Sequence, residues 1–272
     1  ITLSGSSNIK IKIQDDVGND NTATTTAYIL DQTAPTITYT GAIEISADTG
    51  TSDSDFNTKT AAQTLTATLS AAIEADDILQ TSVNAGSSWT NDDHATGDGT
   101  SLSTAITLSG TSAIHIRITD DAGNSGTATT QAYILDTTAP TQTYSSIDIS
   151  ADTGDSDTDW DTATAAQTLT ATLSAAIAAD DILQTSIDDG SNWVNDDHNT
   201  AAGTSLSTAM TLVAGGAEFH IRITDDAGNS GTASETAYTL DTTAPTITYS
   251  NVDISADTGT ADDDFNTKTA AQ

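Results

Sequence analysis

The sequence predicts an all-β chain of tandem sandwich modules, each about 105 residues long with seven strands. Three observations predict it: a repeat of domain length, apolar residues that alternate in short runs, and turn residues clustered between those runs. The repeat is explicit. ISADTG occurs at 45–50, 149–154 and 254–259, DxTAPT at 31–36, 136–141 and 241–246, and DD(A/V)GN at 15–19, 120–124 and 225–229. Successive copies are offset by 105 or 104 residues. That period is long enough to enclose a core, unlike a solenoid unit of 20 to 50 residues that needs neighbours to bury its apolar face.

Cutting after each proline divides the chain into 1–35, the C-terminal part of a repeat; 36–140 and 141–245, two complete repeats; and 246–272, the N-terminal part of another. Partial copies at both ends imply a longer parent protein. Within 36–140, the first strand is expected near 36–45. In the second, Thr64 to Leu69, Leu65, Ala67 and Leu69 face inward and threonines face outward. Further strands are expected near 78–84, 88–92 and 101–108. Ile114, Ile116 and Ile118 alternate with His115 and Arg117 in a sixth, and a seventh is expected near 127–135. Seven short strands in about 100 residues, with turn signals between them, are the cue for an immunoglobulin-like sandwich. The abundant threonine suits exposed strand faces.

Composition narrows the function. The chain carries 39 acidic and 6 basic residues, a net charge of -33. Nucleic acid and anionic membrane surfaces need clustered Lys and Arg, and the basic residues here are scattered. There is no cysteine, so no disulfide supports the fold. No signal peptide, lipidation signal or apolar stretch of membrane-spanning length is present.

The carboxylates recur at fixed places. If the strands follow immunoglobulin order, the loop after the first strand lies at the pole where the chain leaves a module. It holds Asp48, Asp53 and Asp55, repeated as Asp152, Asp157 and Asp159 and as Asp257, Asp262 and Asp264. The last hairpin lies at the entry pole and holds Asp120, Asp121 and Asn124, repeated as Asp225, Asp226 and Asn229. The loop after the second strand adds Asp76 and Asp77, or Asp180 and Asp181, and the linker adds Asp31, Asp136 or Asp241. Stacking successive modules is expected to bring exit-pole, linker and entry-pole carboxylates together, as with Asp48, Asp53, Asp55, Asp136, Asp180 and Asp225. Such oxygen-only sets suit Ca²⁺ better than a transition metal. The competing reading is that these residues cap turns and solubilise the surface. An EF-hand is excluded: a loop opening at Asp155 has Trp160 where glycine is needed and Ala166 where a bidentate glutamate belongs.

The remaining candidates point to surface positions for the histidines and to packing for the aromatic residues. His94 and His198 share a turn position, and His115 and His220 an outward strand position, without a second ligand nearby. Trp89 and Trp193 are expected against the sandwich edge. Phe56, Trp160 and Phe265 share one loop position, where an aromatic ring can plug the module pole. No catalytic nucleophile and base set is recognisable, and an enzyme is not expected.

The motifs ITDDAGN (118–124, 223–229), LDTTAPT (135–141, 240–246) and ISADTG with SDxD (45–55) resemble the bacterial immunoglobulin-like extender repeats of giant RTX-type surface adhesins. The resemblance implies type I secretion, the outer surface of a Gram-negative cell, and calcium-stiffened modules that project a distal ligand-binding region. The expected function is therefore a structural spacer whose partners are the neighbouring repeats of the same chain. A glycan- or protein-binding module and a subunit of a self-assembling fibre are the alternatives.

Overall fold

The fold is all-β. A computed structural model describes residues 1–94, 97, 99–196, 203–261 and 265–271, and contains no α-helix among them. In repeat 36–140 the strands are β3 (Glu44–Ile45), β4 (Asn57–Thr58), β5 (Ala62–Thr68), β6 (Ile78–Ser82), β7 (Thr90–Asn91), β8 (Ser101–Thr107), β9 (Thr111–Thr119) and β10 (Thr129–Leu135). A three-stranded sheet, β3-β5-β8, faces a five-stranded sheet, β4-β10-β9-β6-β7. Repeat 141–245 has the same order in β11 (Tyr144–Ile149), β12 (Asp161–Thr162), β13 (Ala166–Leu173), β14 (Ile182–Ser186), β15 (Val194–Asn195), β16 (Ser205–Thr211), β17 (Gly215–Thr224) and β18 (Ser234–Leu240). Ahead of both, β1 (Ser7–Ile11) and β2 (Thr24–Tyr28) form the hairpin equivalent to β9 and β10.

The alternation of the sequence becomes burial. Leu65, Ala67 and Leu69 are enclosed from one sheet and Ile114, Ile116 and Ile118 from the other, while the threonines of β5 stay outside. Leu169, Leu173, Ile221 and Ile223 fill the matching places in the second repeat. The two cores are separate clusters, each drawn from one repeat.

The strand count differs from seven. Among the described residues each full repeat has eight, because the first strand is split: β3 pairs antiparallel with β5, then the chain crosses to the other sheet, where β4 pairs parallel with β10. The expected strand at 36–45 shrinks to β3 and one bridge between Tyr39 and Leu69. The loop after the first strand is therefore a crossover loop between sheets.

Its base is closed by an aromatic ring. Phe56 is buried at φ 62° and Trp160 takes the same left-handed conformation at φ 65°, a backbone region that bulky residues rarely adopt. Asp48 Oδ2 accepts the Phe56 N–H at 2.9 Å, which holds the turn, and Trp160 stacks on Phe219 with ring centroids 5.2 Å apart.

Candidate functional site: the junction between repeats

A buried glutamine shapes the crossover loop. Gln63 occupies an inward position of β5, and its Nε2 donates to the Ala47 and Thr60 carbonyls at 2.9 and 2.7 Å. Its Oε1 accepts from the Ala47 N–H at 2.8 Å, and Thr58 Oγ1 donates to the Ala47 carbonyl at 2.6 Å. Gln167, Ala151, Thr162 and Thr164 repeat the arrangement. A buried amide with both ends satisfied is a rigid support, since breaking it would leave an unpaired polar group inside the protein.

The β17–β18 hairpin is equally fixed. Asp225 Oδ1 accepts the Asn229 N–H at 2.7 Å, and Asn229 Nδ2 donates to Asp225 Oδ2 and to the Asp136 carbonyl of the linker, both at 2.9 Å. In the hairpin before it, Asn124 Nδ2 donates to Asp120 Oδ2 at 2.9 Å and to the Asp31 carbonyl at 3.2 Å. The carboxylates of Asp31, Asp136 and Asp241 each accept a backbone N–H two residues on, from Thr33, Thr138 and Thr243. The two asparagines are thus hydrogen-bonded clamps between hairpin and linker, and the three aspartates shape the linker turns.

The crossover loop of 36–140 docks on the hairpin of 141–245. Thr51 Oγ1 donates to Asp226 Oδ1 at 2.7 Å, and Asn57 Nδ2 donates to Asp226 Oδ2 at 2.6 Å, so both carboxylate oxygens are engaged. The Thr51 N–H reaches the Asp226 carbonyl at 3.1 Å, Thr49 Oγ1 the Ala227 carbonyl at 2.7 Å, and Lys59 Nζ the Gly228 carbonyl at 2.5 Å. Approach is close enough that a β-carbon on Gly228 would overlap the Thr49 carbonyl. Asp225, Ala227 and Asn229 are buried, whereas the equivalent Asp120, Ala122 and Asn124 retain solvent.

The remaining carboxylates form two kinds of set. In the crossover loop, burial raises the pKa of Asp48, with Asp55 and Asp53 adding to the rise against the Phe56 N–H bond. Asp48 Oδ1 and its counterpart Asp152 Oδ1 are both buried without a hydrogen-bond partner. Asp53, Asp55, Asp157 and Asp159 are exposed around them. Asp257 accepts the Phe265 N–H at 2.9 Å in the third copy of the loop, while Asp262 and Asp264 lie outside the described residues.

At the entry pole, burial raises the pKa of Asp77, and Glu74, Asp120 and Asp121 add to it. Asp181 is raised in the same way, by burial and then by Asp225, Asp180 and Asp226. Asp120 moves the other way because the Asn124 amide favours its charged form. Asp31, Glu74, Asp77 and Asp120 line one cleft of ≈ 310 Å³. Asp76 and Asp180 point into solvent. Among the described residues, no three Asp, Glu, His or Cys side chains stand together in metal-ligating geometry.

Glu74 was not expected at this cleft. It stands two and three residues ahead of Asp76 and Asp77, a spacing visible in the sequence, although Ala178 replaces it in the next repeat. The junction donors Thr49, Thr51, Asn57 and Lys59 carry no acidic signature and were not singled out. Gln63 was not singled out either, although it is the one polar residue in the inward set that continues with Leu65, Ala67 and Leu69.

One expectation about histidine is corrected. His115 and His220 do lie on the outward side of the strand, but His220 is only 8% exposed. The turn ahead of β15 brings Trp193 over it, with ring centroids 6.1 Å apart, and Arg222 lies 3.8 Å from the centre of the same indole. Trp89, His115 and Arg117 repeat the cluster, with Arg117 3.9 Å from the Trp89 ring. His198 lies outside the described residues.

No protein-family model and no curated protein matches the chain. Among solved structures, the chain is similar to fibronectin(III)-like modules of Clostridium thermocellum CbhA, at 10% identity and a TM-score of 0.42, covering 73% of this chain and 94% of that one. It is similar to a structure concerned with host cell surface retention of a 1.5-MDa bacterial ice-binding adhesin, at 18% identity and a TM-score of 0.33, covering 86% of this chain and 73% of the other. A tetra-tandem repeat from the extending region of a large adhesion protein is 20% identical, with a TM-score of 0.26, over 88% of this chain and 57% of that one. With TM-scores below 0.5, the fold assignment rests on the strand order described above.

Proposed function

We propose that the chain is a spacer segment of a bacterial cell-surface adhesin, in which immunoglobulin-like repeats are joined end to end and project a distal binding region. One observation carries this reading: the exit-pole crossover loop of 36–140 is hydrogen-bonded to the entry-pole hairpin of 141–245. A loop at one end of a module that fits the opposite end of its neighbour makes a heterologous contact, which propagates in a line. The linker Asp136 to Pro140 supports the same reading, because it is short, ends in a proline of fixed φ and is clamped to the hairpin through Asn229. The resemblance of the repeat motifs to adhesin extenders supplies the cellular setting: secretion by a type I route and display on a Gram-negative surface. The function is mechanical, without catalysis.

Calcium belongs to this proposal. The donor set of the crossover loop is oxygen only, and the buried Oδ1 atoms of Asp48 and Asp152 lack a partner, as expected of groups that await a cation. Asp48 with Asp53 and Asp55, and Asp152 with Asp157 and Asp159, would hold the ion once the exposed carboxylates close on it, since without an ion they do not stand in ligating geometry. The other oxygens that a calcium ion needs would come from backbone carbonyls and water. Bound there, calcium would neutralise the loop carboxylates and hold the loop in its docking shape.

Small-angle scattering on the full chain tests the spacer reading. A cross-section of a single module and a length that grows with repeat number are expected in calcium. A globular profile with repeats folded on one another would overturn it.

A further inference from the structure

The four crossover-loop residues that hold the neighbouring hairpin are Thr49, Thr51, Asn57 and Lys59. Their counterparts after 141 are Thr153, Asp155, Asp161 and Ala163. After 246 they are Thr258, Thr260, Asn266 and Lys268, so the third loop restores what the second one changes. Two hydrogen-bond donors become carboxylates in the second loop, and the ammonium is lost. The hairpins do not change to match: 15–19, 120–124 and 225–229 all begin Asp-Asp, so the carboxylate equivalent to Asp226 is constant.

The second loop nevertheless keeps its shape. Gln167 holds the Ala151 carbonyl and N–H as Gln63 holds those of Ala47, and β12 pairs with β18 as β4 does with β10. The exit face it forms carries an open cleft of ≈ 320 Å³ lined by Thr153, Gly154, Asp161, Ala163, Thr239 and Asp241. The difference between the two loops is therefore one of side-chain chemistry on a common backbone.

We propose that these crossover-loop positions set the stiffness of each joint. Thr51, Asn57 and Lys59 lock the joint by direct hydrogen bonds to an Asp-Asp hairpin. Asp155, Asp161 and Ala163 leave a joint unlocked, because a hairpin of the same kind would bring a third carboxylate against two others with no donor between them. A chain that mixes both loops is a series of rigid segments separated by compliant joints. The idea deepens the spacer reading and rests on it.

The test transplants the second loop's residues into the first joint of the full chain, as T51D/N57D/K59A, and measures amide hydrogen exchange in chelator. The readout is the amide of residue 51, which donates to the Asp226 carbonyl only while the joint is closed. In the wild-type chain this amide is protected. In the variant its protection falls by about a hundredfold, as expected when charge-assisted hydrogen bonds are lost and local opening follows. Protection of β5 stays unchanged, because the same residues already sit on an intact backbone in 141–245. Adding Asp226→Lys to the variant restores protection by giving the two new carboxylates a cationic partner. Wild-type protection in the variant, or failure of Asp226→Lys to restore it, overturns the proposal. Failure of the spacer reading shows differently, as an unprotected residue 51 in the wild-type chain.

Discussion

Replacing Asp48 and Asp152 together by asparagine separates the ion-binding role of the crossover loop from its structural role. Asparagine keeps the shape of the side chain and an oxygen to accept the N–H of Phe56 or Trp160, contacts of 2.9 and 3.1 Å in the native loop. It removes the negative charge of the two buried orphan oxygens. In chelator, the double variant should melt no lower than the wild type, since each substitution relieves a partly buried carboxylate from its Asp53 and Asp55, or Asp157 and Asp159, neighbours. In calcium the order should reverse. An ion that binds only the folded state at a hundred times its dissociation constant stabilises it by about 2.7 kcal/mol. For a domain of this size each kcal/mol moves the melting midpoint by about 4–8 °C, so the wild type should gain about 10–20 °C. The double variant should gain little of that. Scanning calorimetry with and without calcium reads both effects. A wild-type midpoint indifferent to calcium, or a double variant that keeps the whole calcium shift, refutes the assignment of the ion to these loops.

Two further outcomes follow from packing. Leu65→Ala should destabilise repeat 36–140 by about 2–5 kcal/mol, as fully buried leucines do, and leave the melting of 141–245 unchanged, because the two cores share no residues. Coincident loss of both transitions in calorimetry would contradict separate cores. Gly228→Ala and Gly123→Ala impose similar positive-φ strain, at φ 87° and 92°, but only the former meets the Thr49 carbonyl. Gly228→Ala should therefore open the joint in hydrogen exchange at residue 51 while Gly123→Ala leaves it closed; equal effects would show that the close approach is unimportant.

Long alternating strands were legible because their signal is one of burial, which a period-two pattern reports directly. β5 and β9 follow from Leu65, Ala67, Leu69 and from Ile114, Ile116, Ile118. β4 was not legible: Asn57 and Thr58 are two polar residues with no alternation; Thr58 is buried because β10 and the crossover loop close around it, and Asn57 because Asp226 of the next repeat covers it, whereas the equivalent Asp161 is exposed. The covering of His220 was hidden for a related reason, since it depends on a turn that lays Trp193 across the strand.

At the junction, the sequence drew attention to its charges, while the immunoglobulin strand order put the crossover loop and the hairpin at poles that meet. The contact itself is made by Thr49, Thr51, Asn57 and Lys59, whose donors satisfy Asp226 and the hairpin carbonyls. Threonine is so frequent here on solvent-facing strands that its few interfacial members carry no distinguishing signal in the sequence.

Whether one repeat fixes the position of the next is directly measurable, because the chain has no cysteine. Ser103→Cys and Ser207→Cys place one spin label on the exposed face of β8 and one on that of β16. Dipolar spectroscopy on the doubly labelled full chain then reads the distance across the joint. A single narrow distance distribution in calcium, broadened by Gly228→Ala, is the predicted result. A broad distribution in the unaltered joint, or a narrow one that Gly228→Ala leaves untouched, would contradict it.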